Sequence, residues 1–289
     1  MDIFMQILFS GCAVGMIYAV IAFGYQLTFA TSGTLNFGQG EAVAIGALVG
    51  LSLVAHVNYW LMIPLVLAFG ALYGIAIERI GVRPAMNVQS EGWIMSTIAI
   101  GIILKNVAEN IWGKEDVKFP SPVSESALVV GGANVLPMEI VVVMGALALM
   151  VAIEIFNRKS IYGKAVVATA GDREAAGLMG INTRQVITFS YALSCATAAF
   201  AGVLVAPLTL AGAGMGASLG LKAFAVAIIG GLTSGLGAIV GGLILGLSET
   251  ATGYYISTGY KDVPGLVLLL LVLAVKPAGL FGKTIIKKV

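Results

Sequence analysis

Between Asp2 and Glu41 the chain runs 38 residues, 3 to 40, without one charged side chain, and the 36 residues from 42 to 77 hold no Asp, Glu, Lys or Arg and only one histidine, His56. A hydrocarbon core about 30 Å thick takes roughly 20 apolar residues per helical crossing, so each run has the length of most of two crossings. The remainder is similar. Of 289 residues 59% are hydrophobic and 10% charged, with mean hydropathy +1.00, which leaves too little polar surface for a soluble domain of this size. The whole chain, 1–289, reads as a single transmembrane domain.

Backbone groups in lipid must be satisfied within the protein, and alternation of period two is absent, so the expected class is all-α: a polytopic transmembrane helix bundle. Seven or eight segments are predicted, near 5–29, 35–55, 61–80, 93–112, 138–156, 186–209, 222–250 and 262–280. The start, MDIF, has an acid where a signal peptide has lysine or arginine, so the first segment is expected to be a retained span. Basic residues in short loops mark the cytoplasmic side. They are Arg79 and Arg83 in 79–92, and Arg158, Lys159, Lys164, Arg173 and Arg184 in 157–185. The loop 113–137, with Lys114 and Lys118 against Glu115, Asp116 and Glu125, an FPSP turn and a Gly-Gly pair, then lies outside, as does the N-terminus.

Lys276, Lys283, Lys287 and Lys288 place the tail inside, which eight simple crossings do not allow. One segment is therefore expected not to cross, and 222–250 is the candidate. Its IIGGLTSGLGAIVGG puts six glycines within 230–242 around Thr233 and Ser234, as two half-helices meeting inside the membrane would. The alternative is a continuous helix whose glycines serve close contact. Glycines also recur four apart at 11 and 15, 46 and 50, 70 and 74, 237 and 241, and 242 and 246, which predicts a densely packed bundle.

Chemistry is sparse. A net charge of +2 without a basic patch gives no ground for nucleic-acid binding. Cys12 and Cys195 lie in apolar stretches with no second ligand at metal spacing, so they read as small buried hydrophobes and no metal site is expected. Gly282-Lys283-Thr284 ends like a phosphate-binding loop, but Pro277 stands where its first glycine belongs and no strand precedes it. With no nucleophile beside a base, no paired catalytic carboxylates and a single histidine, neither catalytic residues nor a cofactor of its own are expected.

Two polar groups fall among the apolar segments. TSGTLNFGQGE offers Thr31, Ser32, Asn36, Gln39 and Glu41 around three glycines. It is either a broken helix start that receives a ligand, or a cytoplasmic turn with Glu41 in the first turn of the next helix, where the helix dipole favours a carboxylate. Lys105, Asn106, Glu109 and Asn110 either line a pathway or form an interfacial ion pair with the lysine reaching outward. His56, beside Asn58, Tyr59 and Trp60, marks an external turn at an aromatic belt.

The most polar internal stretch is 157–185. In it Asp172 can open and Gly180 can close a short helix, Arg173 to Met179, too short to be stable without something to dock against. Its REAAGLMGI resembles the EAA-type loop of ABC importer permeases, a short coupling helix that sits in a groove of the ATPase. With LTFATSGTLNFGQGEAVAIGA, KAFAVAIIGGLTSGLGAIVGGLILGLSE and the closing KPAGLFG, nearly the whole chain resembles permease subunits of branched-chain amino-acid ABC importers, in their shorter first branch. The resemblance implies a bacterial inner-membrane complex with a second homologous permease, two ATPase subunits carrying ATP and Mg, an external substrate-binding protein, and transport by alternating access. It implies ATPase coupling through Asp172, Arg173, Glu174, Ala175, Ala176, Gly177, Met179 and Gly180; the translocation pathway is expected past Asn36, Gln39, Thr233 and Ser234, because both glycine-broken segments join small residues to uncharged hydrogen-bonding groups. The family pattern reads NFAHGE where this chain has NFGQGE, so Gly38 and Gln39 depart from it. Related systems carry urea, amides or aromatic acids, which leaves the substrate open. An ion-coupled secondary transporter is the alternative of another class.

Overall fold

The computed structural model describes residues 2–86, 91–124, 126–130 and 132–282. Glu125, Gly131, Lys283, Lys287 and Lys288, used above to orient the chain, lie outside the described residues. The helices are α1 (Asp2–Ser32), α2 (Gln39–Val54), α3 (Tyr59–Ile77), α4 (Arg83–Met86), α5 (Gly92–Trp112), α6 (Pro137–Lys159), α7 (Ile161–Gly171), α8 (Arg173–Leu178), α9 (Thr183–Val205), α10 (Met215–Gly230), α11 (Gly235–Tyr255) and α12 (Val263–Val275). Seven of the helical stretches are long and apolar enough to cross a membrane; α2 and α10 are apolar but shorter. This is the all-α, multi-pass membrane architecture expected. To it the structure adds a small hairpin before α6, β1 (Leu128–Val130) with β2 (Ala133–Val135), in which Leu128 pairs with Val135.

The most buried spans are α9 and α1. Small residues make this centre, because in lipid close backbone packing, rather than a hydrophobic force, holds helices together. A Cβ on Gly70 of α3 would stand 2.8 Å from the Cys195 carbonyl oxygen of α9, and Gly46 of α2 meets Ala199 directly. Gly11 and Gly15 of α1 face Gly242 and Gly246 of α11 in the same way. The four-residue glycine spacings thus mark the helix contacts.

The two ends are fixed by polar links. Arg83 donates to Glu78 and to Thr188 near the start of α9, which brings the basic segments 79–92 and 157–185 to one end. At the other, Gln6 is paired with the backbone of Asn134 in the hairpin, and Val117 exchanges backbone hydrogen bonds with Ala211. Arginine and lysine crowd the first end, the one that the positive-inside rule assigns to the cytoplasm, and the same rule puts the N-terminus and the hairpin outside.

From Ala211 at the outer end α10 descends, turns at 231–234, and α11 climbs back beside α1; Gly230 lies on Gly237, and a Cβ on Gly241 would stand 3.0 Å from the Val226 carbonyl oxygen. Segment 222–250 therefore enters and leaves on the same side, the arrangement that the tail lysines demand. The turn lies inside the bundle, since a Cβ on Gly235 would stand 3.0 Å from the ring of Phe23, about 14 Å along α1 before its end at Ser32. After α12 the KPAGLFG motif folds onto this turn. Leu280 N and Phe281 N donate to the Ile229 and Gly230 carbonyls, which the end of α10 would otherwise leave unpaired.

One expectation is corrected. The second segment does not begin at 35 and span the bilayer: α2 has 16 residues, about 24 Å, and starts deep in the bundle. Gln39 reaches Ser194, eleven residues and about 17 Å into α9, while 33–38 run unwound below it. Gly33, at φ +70°, ends α1 in a left-handed conformation that other residues rarely adopt.

Candidate functional site

The unwound segment 33–38 keeps its polar backbone satisfied through side chains, the condition for irregular chain at membrane depth. Asn36 Oδ1 accepts from Gly38 N at 3.0 Å, Thr97 Oγ1 from Phe37 N at 3.4 Å, and Ser32 Oγ from Thr34 N at 3.1 Å. Asn36 Nδ2 donates to Cys195 Sγ at 3.3 Å, Gln39 Nε2 to the Ser194 carbonyl at 3.0 Å, and Thr34 and Tyr191 share a hydroxyl hydrogen bond of 2.7 Å. Asn36 and Gln39 are fully buried between α1, α2 and α9. Their amides hold the break together.

Glu41 is in the first turn of α2, but that turn is no cytoplasmic surface. The residue is 9% exposed, and a Cβ on Gly101, midway along α5, would stand 3.4 Å from its Cγ. Thr233 is exposed in the α10–α11 turn, and Ser234 caps α11 by accepting from Gly237 N at 3.1 Å. The structure joins Asn36 with Gln39 and Thr233 with Ser234, but not the two pairs: Gly24 of α1 carries the first and its neighbour Phe23 packs on Gly235 beside the second. Farther out, Lys105 and Glu109 lie 3.9 Å apart on α5, with Asn106 and Asn110 exposed. Asn58 caps α3 in the outer turn that follows His56.

At the cytoplasmic end α8 is capped at both termini. Asp172 Oδ1 accepts from Glu174 N and Ala175 N, each at 2.9 Å. Gly180, at φ +87°, donates to the Gly177 carbonyl, and Ile181 N to that of Ala176, a Schellman closure. Ala176 is buried, whereas Arg173, Glu174, Ala175, Gly177, Met179 and Gly180 are exposed; Leu178 is 90% and Met179 84% exposed. Six residues capped at both ends, with apolar side chains turned outward, form a short projection suited to a partner's groove. The helix before it, α7, was not foreseen in the loop. Its signal was Gly163, which lets α7 fold back on the Asn157 backbone.

A second feature escaped the sequence reading. Lys222 of α10 and Glu249 of α11 are the only charged residues in 222–250, and the turn brings them together. Lys222 Nζ lies 3.0 Å from Glu249 Oε2 and 2.6 Å from Asp262 Oδ1, and Tyr18 donates to Glu249 Oε2 at 2.8 Å. Tyr18, Lys222 and Glu249 line a cavity of about 850 Å³ between α1, α10 and α11, on the outer side, together with Lys261 and Asp116. Two opposite charges at the ends of an apolar hairpin were the signal, 27 residues apart and hidden by the glycines between them.

The family model described as "Branched-chain amino acid transport system / permease component" matches residues 7–275. The chain is 36% identical over 302 residues to the high-affinity branched-chain amino acid transport system permease protein LivH of Escherichia coli K12, covering 99% of this chain and 98% of that one. Identity to the corresponding BraD protein of Pseudomonas aeruginosa is 31%, again over 99% and 98% of the two chains. The galactofuranose transporter permease protein YtfT of Escherichia coli K12 is 28% identical over 221 residues, 74% of this chain and 60% of that one. No solved structure matches the chain.

Proposed function

This chain belongs to the family of branched-chain amino acid transport system permeases, and from that membership we propose that it is one membrane subunit of an ATP-driven importer of branched-chain or closely related amino acids. It pairs with a second homologous permease, takes substrate from an external binding protein, and is driven by two ATPase subunits that bind ATP and Mg. The observation that carries this reading is α8, a helix capped at both ends whose exposed Leu178 and Met179 wait for a groove. Nucleotide-driven closure of the ATPases moves α8, and α9, which follows it directly, conveys the shift to the break at 33–38. Asn36 and Gln39 brace that break, while Thr233 and Ser234 stand at the inner end of the route.

The test is ATP-dependent uptake of labelled leucine by the reconstituted complex, with and without Gly177→Trp. A Cβ at Gly177 meets nothing within 4 Å, so the subunit itself accommodates the change. Uptake should be lost while insertion is retained. Normal uptake by this variant, or uptake driven by an ion gradient without ATP, overturns the reading.

A further inference from the structure

The cavity beside Lys222 has a charge arrangement that packing does not explain. Charged groups inside a membrane protein are costly, and a buried ion pair is often no more stabilising than apolar residues of the same volume. Here the ammonium of Lys222 is shared by two carboxylates, Glu249 at 3.0 Å and Asp262 at 2.6 Å, while Lys261 and Asp116 also line the cavity. Glu249 is 5% exposed; its Oε2 takes the donors Lys222 and Tyr18, while its Oε1 is buried and accepts no hydrogen bond among the described residues. Opposite Oε1 stands Gly265, with no side chain to offer a donor. The two carboxylates divide the Lys222 ammonium between them, and Glu249 Oε1 is left without a donor among the described residues.

The cavity of about 850 Å³ is within the range of roughly 300–1,000 Å³ usual for small-molecule sites. Ile17, Met215 and Leu219 give it an apolar wall beside the charges. We propose that it is a substrate subsite of the transport route, which takes the charged head of a zwitterionic amino acid: the α-ammonium against Glu249 and Asp262, the α-carboxylate against Lys222, and the aliphatic side chain on the apolar wall. A zwitterion enters such a cluster as a dipole. Its ammonium supplies the missing donors, its carboxylate retains the lysine, and the net charge of the cavity is unchanged. The subsite rests on the importer reading above and names the chemistry by which this subunit itself recognises its cargo.

The experiment uses the whole complex, with binding protein and ATPases, in proteoliposomes, and a leucine analogue carrying a diazirine in its side chain. After photolysis, label should map to α1, α10 and α11 around Ile17, Met215 and Leu219. Excess leucine should protect, whereas N-acetyl-leucine, which lacks the ammonium, should not. Glu249→Gln, which keeps the shape, should lower labelling at least tenfold in a complex that still assembles and hydrolyses ATP, and Lys222→Arg should keep more labelling than Lys222→Met. Import of leucine with label confined elsewhere, or Glu249→Gln with unchanged labelling, overturns the subsite alone. A complex that imports no amino acid overturns the importer reading and the subsite with it.

Discussion

Asp172→Ala removes the cap of α8 without touching any surface that a partner would contact through Leu178 or Met179. The wild-type carboxylate satisfies two N–H groups of the first turn, Glu174 N and Ala175 N, each at 2.9 Å. A helix leaves four such donors unpaired, and one of six residues has no further turns to offset their exposure. Loss of an N-cap costs about 1 kcal/mol, and loss of the negative charge at the helix N-terminus about 0.5 kcal/mol more. The sum, about 1.5 kcal/mol, lowers the helix equilibrium by a factor of about ten. If only the helical form docks, apparent affinity falls with its population. For a loop about half helical before docking, that fraction drops to about a tenth and binding weakens about fivefold. The assay is titration of the purified permease with its ATPase, together with uptake per ATP hydrolysed. Asp172→Asn keeps the acceptor and should weaken binding less than twofold, by the roughly 0.5 kcal/mol of the lost charge or less. Wild-type affinity and coupling in Asp172→Ala, at normal insertion, would refute a requirement for the formed helix.

Opposite signs are expected for one substitution at two glycines. Gly40→Ala should destabilise the purified protein by about 1–3 kcal/mol, because its Cβ would stand 2.9 Å from the Gly216 carbonyl carbon, backbone that cannot swing away. Gly177→Ala, with nothing within 4 Å, should be neutral or stabilise α8 by up to about 1 kcal/mol; thermal unfolding in detergent compares them, and equal effects would contradict the packing. Arg83→Leu should cost about 2 kcal/mol by stranding Glu78, which is 2% exposed, and adding Glu78→Leu should recover part of it; a strictly additive double-mutant cycle refutes this coupling. Single cysteines at Leu210 and Ser257 should both react with an impermeant reagent from outside, and labelling from opposite faces would show that the α10–α11 hairpin crosses the membrane.

Much of this architecture was legible because one solvent imposes it. Charge-free runs gave most of the spans, and glycine density with tail charge against crossing number pointed to the hairpin in 222–250. The caps of α8 were legible for a local reason: Asp172 and Gly180 act on backbone within three or four residues of themselves. What sequence could not convey was depth. Apolar patterning is the same at the surface of a bilayer and at its middle, so nothing in NFGQGEAVAIGA distinguished a full crossing from the shorter α2, which starts deep in the bundle. The difference is set by Ser194 and Cys195, more than 150 residues away, which take the amides of Gln39 and Asn36. The pairing of Lys222 with Glu249 was hidden likewise, since it exists only once the glycine turn folds α10 against α11.

The same long-range contacts put one rigid element between the candidate sites. Thr183, two residues after the Schellman closure of α8, begins α9. Along α9 stand Thr188 on Arg83, Tyr191 on Thr34, Ser194 on Gln39 and Cys195 on Asn36. The cytoplasmic projection and the break are thus joined by a single buried helix held to α2 and α3 through glycine contacts with no slack. The break has no helical ladder, being closed by single side-chain hydrogen bonds, each a small net contribution of about 1 kcal/mol that can be exchanged without unwinding a turn. Displacement of α9 therefore falls on residues 33–38 before it falls on any helix. Beyond the break, Gly40 lies against Gly216 and Gly220 of α10, two residues before Lys222. In the proposed transport cycle, a shift that starts at α8 would reach the charged outer cavity through packed backbone, with one compliant joint on the way.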